Sequence, residues 1–130
     1  MPDTLLIDSD ILIDSMRGDA DALRYLEHQE QLKTLAISVL SEMELRVGCQ
    51  NKRESDKLDA SLKYFQIIQL DRVISRRAAE LVRIYNLSHG LLIPDALIAA
   101  TALELGISSA TRNRKDFRFI DGMKLARYPK

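Results

Sequence analysis

Three aspartates, Asp8, Asp10 and Asp14, stand inside the run LLIDSDILID at residues 5–14, among leucines and isoleucines that favour burial. An ionised carboxylate leaving water is costly unless it is paired, hydrogen-bonded or metal-bound. Either this run ends where its carboxylates reach a cleft, or a positive partner meets them. Further acids fall at comparable points: Glu44 in VLSEMELRVG, Asp95 after Pro94 in IPDALIAATALELG, and Asp116 in TRNRKDF. If Asp8, Glu44, Asp95 and Asp116 converge, each pair about 5 Å apart repels by roughly 3 kcal/mol at an effective dielectric near 20. Divalent cations offset such repulsion, and hard carboxylate oxygens select Mg²⁺ or Mn²⁺. Ions held this way activate water and clamp the oxygens of a phosphodiester during in-line attack.

Each acid taken singly also has an ordinary structural use. Asp8 fits a helix N-cap or a strand-end turn. Glu44 fits a solvated helix face, like its neighbour Glu42. Asp95 sits in a first helical turn, where the dipole favours negative charge by up to about 1 kcal/mol. Asp116 fits a turn beside Lys115.

The elements that must position these acids follow from apolar spacing. Residues 4–8 and TLAIS at 34–38 read as strands, as do QIIQL at 66–70 and ISSAT at 107–111. The tail adds a fifth short strand at most. Asp19 or Asp21 caps a helix through about His28, and VLSEMELRVGC forms a helix closing near Gly48. KRESDKLDASLKYF is a charged amphipathic helix, and a long one runs from Asp71 to about Tyr85. Pro94 and Asp95 open a helix through Glu104, closed by Gly106 and apolar almost all round. Strands alternating with helices predict an α/β fold with a mainly parallel sheet of four to five strands, covered on both faces. Ligands of such sheets bind beyond the C-terminal strand edges, where Asp8 falls.

Composition narrows the function classes. The 130 residues fit one domain, and 46% apolar with 29% charged residues is ordinary for a globular protein. Nothing approaches the run of about 18 apolar residues that a membrane span needs. The acidic start MPDTLLIDSD is unlike a signal peptide, which together with few thiols points to the cytoplasm. Cys49, the only cysteine, excludes an intrachain disulfide and a Cys-based zinc site. His28 and His89 lack metal-ligand spacing. Nineteen basic against nineteen acidic residues excludes nucleic-acid binding by bulk charge, but not by a local basic patch.

These blocks resemble the PIN-domain ribonucleases, and more narrowly the VapC-like toxins of toxin–antitoxin pairs. LLIDSDILID is similar to that family's opening strand, ISVLSEMELRVG to its second block, IPDALIAATALELG to its third and TRNRKDF to its fourth. The blocks come in the family's order over nearly the whole chain, and the second selects Glu44 rather than Glu42. Asp10 departs from the pattern, standing where Asn is common. In the fourth block Asn113 occupies the alternative acid position, which leaves Asp116.

The resemblance implies a PIN-like three-layer α/β/α domain over residues 1–130 and a Mg²⁺- or Mn²⁺-dependent endoribonuclease leaving a 3′-hydroxyl. Asp8 and Asp95 would be core metal ligands, completed by Glu44 and Asp116. Ser9 and Thr111, and less directly Ser38, would orient those carboxylates. Arg112, Arg114, Lys115 and Arg118 would contact RNA phosphates unless they form a solvated loop, and Arg46 would border the pocket or lie on the surface. Asp10 would lie on the cleft side of the first helix, with Asp14 facing solvent. The implied partners are RNA, a VapB-like antitoxin reaching the charged helix and those before it, and a second copy of the chain; no membrane is implied.

Two rival readings start from the same residues. Asp8-Ser9-Asp10 is similar to the opening of haloacid-dehalogenase-like phosphotransferases, with Asp8 as nucleophile and Asp10 as acid/base, but the later Lys falls out of order. A PIN-like module that only binds protein is the other, against which the four filled acid positions argue.

Overall fold

Strand β1 (Thr4–Ile7) is buried along its whole length, and its side chains alternate between two cores. Leu5 and Ile7 join Leu35 and Ile37 on one face, while Leu6 joins Ala36 on the other. The parallel register produces this agreement, pairing Leu5 with Leu35 and Leu6 with Ala36. Strands β2 (Thr34–Ser38), β3 (Gln66–Ile68) and β4 (Ser108–Ala110) complete a wholly parallel sheet of order β3-β2-β1-β4. The computed structural model describes residues 3–129.

Helices cover both faces. Helices α1 (Ser9–Met16), α2 (Ala20–Leu32), α3 (Val39–Val47) and α4 (Lys52–Leu62) contribute Ile11, Tyr25, Leu45 and Leu58 to the Ile7 side. Helices α5 (Arg72–His89) and α6 (Ile93–Leu105) fill the Leu6 side with Ile74, Leu81, Ile98 and Ala99, joined by Phe117 and Ile120. The result is the expected α/β/α arrangement. No helix among the described residues is long and apolar enough to cross a membrane.

Several boundaries differ from the sequence reading. β1 stops at Ile7, because Asp8 is the N-cap of α1. Asp19, rather than Asp21, caps α2, which continues to Leu32. The helix in KRESDKLDASLKYF ends at Leu62, and the QIIQL strand keeps three residues. α5 continues four residues past Tyr85 to His89, and Gly90, with a φ of 69°, supplies the left-handed turn that ends it. The fifth strand is reduced to a single parallel bridge between Ser109 and Leu125.

Candidate active site

The C-terminal edge of the sheet receives β1, β2 and β4 and the chain that leaves them. Asp8 follows β1, its backbone N–H donating to Ala110 O at 2.9 Å, which fixes the start of α1 against the end of β4. Its Oδ1 accepts from Ser9 N at 2.8 Å and its Oδ2 from the Thr111 hydroxyl at 2.8 Å. Burial pushes the Asp8 carboxyl up to about 7, with Asp10 and Asp95 adding negative charge and the Thr111 and Ser9 hydrogen bonds opposing them.

Asp95 enters from the opposite helical layer, in the first turn of α6. Burial raises its carboxyl to about 6, aided by Asp116, Glu44 and Asp10. Asp95 is thus within electrostatic reach of Asp116, Glu44 and Asp10, and Asp8 is within reach of Asp10 and Asp95. Glu44 is exposed on α3 and is reached by the Ser9 hydroxyl at 3.3 Å. Asp116 ends a 3₁₀ turn, Arg114–Asp116, and is held there by the buried Phe117 that follows it.

Asp10 is more deeply built into the site than its spacing suggested. Its Oδ2 accepts from the Thr111 hydroxyl at 3.2 Å, Arg112 N at 3.1 Å and Asn113 Nδ2 at 3.2 Å. Its Oδ1 is buried without a hydrogen-bond partner. Burial raises its carboxyl too, against the donors of residues 111 and 112 and the Arg112 charge. A carboxylate so engaged is not free to act as the acid/base of a phosphotransferase.

Two expectations, for Asp14 and Ser38, require correction, and the open reading of Arg46 is resolved. Asp14 does not face solvent; its side chain is 19% exposed and both its oxygens accept from Arg112 Nη1, at 2.8 and 2.7 Å. The Arg112 charge is therefore committed to α1 rather than free for phosphate. Arg46 turns away from the pocket and ties α3 to α4, donating to Ser55 and to Asp59 at 2.6 Å. Ser38 is the N-cap of α3, accepting from Leu40 N at 3.1 Å, and makes no hydrogen bond to the acids.

Among the described residues no three His, Cys, Asp or Glu side chains form a ready metal-ligand set. The donors are nonetheless all carboxylate oxygens, the kind that hard divalent cations take, and the orphaned Asp10 Oδ1 lies beside them.

The PIN domain family profile matches residues 5–122, a span that contains every one of these acids. The chain belongs to the PIN domain family. Ribonuclease VapC10 of Mycobacterium tuberculosis (strain CDC 1551 / Oshkosh) is 36% identical to it over 121 residues, 92% of this chain and 90% of that protein. Among solved structures, a toxin–antitoxin complex from Klebsiella pneumoniae contains a chain 34% identical to this PIN domain. That match has a TM-score of 0.78 and covers 92% of this chain and 94% of the other. VapBC2 from Rickettsia felis, bound to a DNA fragment from its promoter, matches at 25% identity and a TM-score of 0.82, covering 95% and 97%. The expected fold and family are those observed.

Proposed function

We propose that residues 1–130 form one PIN domain unit acting in the cytoplasm as a Mg²⁺- or Mn²⁺-dependent endoribonuclease, the toxin of a VapBC-type pair. The observation that carries this reading is the meeting of Asp8, Glu44, Asp95 and Asp116, from four separate segments, at one sheet edge. Half-buried carboxylates at Asp8, Asp95 and Asp116, with the exposed Glu44 near them, repel one another and are costly to keep without a cation.

In this reading Asp8 and Asp95 hold the metal, and Glu44 and Asp116 complete the acidic pocket. The bound cation supplies Lewis acidity toward the scissile phosphate and lowers the pKa of an attacking water. The chain's own residues do the positioning. Thr111 donates to Asp8, leaving that carboxylate facing the pocket in one orientation, and Ser9 holds both Asp8 and Glu44. Arg114, Lys115 and Arg118 are exposed around Asp116, a positive rim at an acidic centre.

Partner surfaces follow from apolar exposure. A groove of about 320 Å³ between α1, α2 and α4, lined by Leu12, Met16, Leu23, Leu58, Leu62 and Phe65, suits an apolar segment of a VapB-like antitoxin. Met43 and Val47 on α3, and Leu92 and Ile93 where α6 begins, are exposed apolar residues that a second copy of the chain could cover.

Antitoxin-free protein incubated with mixed cellular RNA is expected to give discrete fragments with Mg²⁺ or Mn²⁺, none with EDTA, and none from Asp8→Ala. Cleavage that survives EDTA, or survives Asp8→Ala, would overturn the metal-dependent reading.

A further inference from the structure

The sheet edge that carries the acids also carries a cleft that the four acidic segments do not account for. Beyond Met123 the chain runs alongside β4 in the parallel sense. Ser109 N–H donates to Lys124 O at 2.9 Å, and Ala126 N–H donates to Ser109 O at 2.8 Å. Leu125 stands opposite Ser109 in a single parallel bridge, and Arg127 and Tyr128 follow two and three residues on. Arg114, at the start of the turn that ends in Asp116, donates from Nη1 to Ala126 O at 2.7 Å and joins the two segments. Between them lies a cleft of about 310 Å³ lined by Arg114, Leu125, Arg127 and Tyr128.

Its chemistry is specific. Neither Arg114 nor Arg127 forms an ion pair among the described residues, whereas Arg112, two residues from Arg114, is paired with Asp14. The Tyr128 ring packs perpendicular to the Tyr25 ring, with centroids 4.8 Å apart, which fixes its orientation. Two unpaired guanidinium groups beside a fixed aromatic ring and a leucine match a phosphate with its base, the combination by which single-stranded nucleic acid is held. An acidic peptide would use the cations and leave the ring without a stacking partner.

Resting on the nuclease reading above, we propose that this cleft is a subsite for one nucleotide of single-stranded RNA next to the cleavage site. Arg114 and Arg127 hold the phosphate, and the Tyr128 ring stacks the base. Arg114 stands two positions before Asp116 in the same turn, which makes this nucleotide a near neighbour of the scissile bond.

The test is fluorescence anisotropy with a short labelled single-stranded RNA and Mg²⁺, in an Asp8→Asn background that holds the RNA uncut. Arg127→Ala is expected to weaken binding several-fold and to lower the slope of log K against log salt by about 0.7, the value for one phosphate contact on a single strand. Tyr128→Leu is expected to weaken binding by about tenfold with little change in slope, and Tyr128→Phe to restore it. Arg76→Ala, exposed on α5 in the opposite layer, serves as the control that leaves affinity and slope unchanged. Parent-like affinity in both Arg127→Ala and Tyr128→Leu would overturn the subsite, even if those variants lost an acidic antitoxin peptide. Failure of the parent itself to bind RNA would overturn the nuclease reading, and the subsite with it.

Discussion

Asp8 shows how a single residue carries structure and chemistry at once. As N-cap it stabilises α1, yet burial beside Asp10 and Asp95 raises its carboxyl to about 7 in the fold. The folded chain therefore binds more protons than the unfolded one between the unfolded value of 3.8 and about 7. Stability is greatest below that window and is lost as pH rises through 6 to 7, with Asp95 acting in the same direction. The melting temperature of metal-free protein is expected to rise as pH falls from about 8 to 5, by an amount worth roughly 2–3 kcal/mol. Added Mn²⁺ should flatten that slope by stabilising the ionised form. Asp8→Asn keeps the cap and removes the charge, so at pH 7.5 it is expected to melt above the metal-free parent by about 1–3 kcal/mol while losing RNA cleavage. Calorimetry over a pH series checks both, and a parent that melts lower toward pH 5 would contradict the sign. The candidate acids were legible because their residue types and block spacing are local. Asp10 was legible as a cleft-side residue, but its three donors were not, since they come from residues 111–113 on another segment.

At the scale of elements, α1 and the segment after β4 are clamped together by two carboxylates one helical turn apart. Asp10 takes the backbone and side-chain donors of residues 111–113, and Asp14 takes the Arg112 side chain. Strand and helix identities were readable, because apolar spacing within each segment reports which faces are buried. Helix ends were less so: α2 continues past its predicted limit to Leu32, where no glycine marks the end, and α5 runs on to the left-handed Gly90, a local stop signal that lies beyond the predicted end at Tyr85. Asp14 was misplaced for a related reason, since a polar residue on a helix looks solvated until its partner, 98 residues away in sequence, is known. Asp14→Ala and Arg112→Ala are each expected to destabilise only slightly, and the double variant by less than their sum, because the exposed arginine leaves the pair screened by solvent. A thermodynamic double-mutant cycle by urea denaturation measures the coupling. Additive losses would show that the pair does not act as a clamp.

For the molecule as a whole, the site is the place where two cores meet across one thin sheet. Asp8 and Asp10 are anchored by Ile11 in the layer of α1 to α4, whereas Asp95 and Asp116 are anchored by Ala96 and Phe117 in the layer of α5 and α6. Distances between the acid pairs are thus set by packing on opposite faces of β1. No sequence pattern states that quantity, because it belongs to neither layer alone. Phe117 is the sharpest probe, being 1% exposed and next in sequence to Asp116. Phe117→Leu keeps an apolar side chain and is expected to cost about 1–2 kcal/mol, leaving the chain folded. Its cleavage rate should fall by tenfold or more, because the 3₁₀ turn that presents Asp116 loses its anchor and small misplacements at a reacting centre are amplified. Antitoxin capture should be unchanged, since the apolar groove lies on the other layer against Leu12 and Leu58. Measuring melting temperature, cleavage rate and antitoxin affinity on one preparation separates these effects. Equal losses in cleavage and antitoxin binding would show that the layers are not independent, and that Phe117 supports the fold rather than the site.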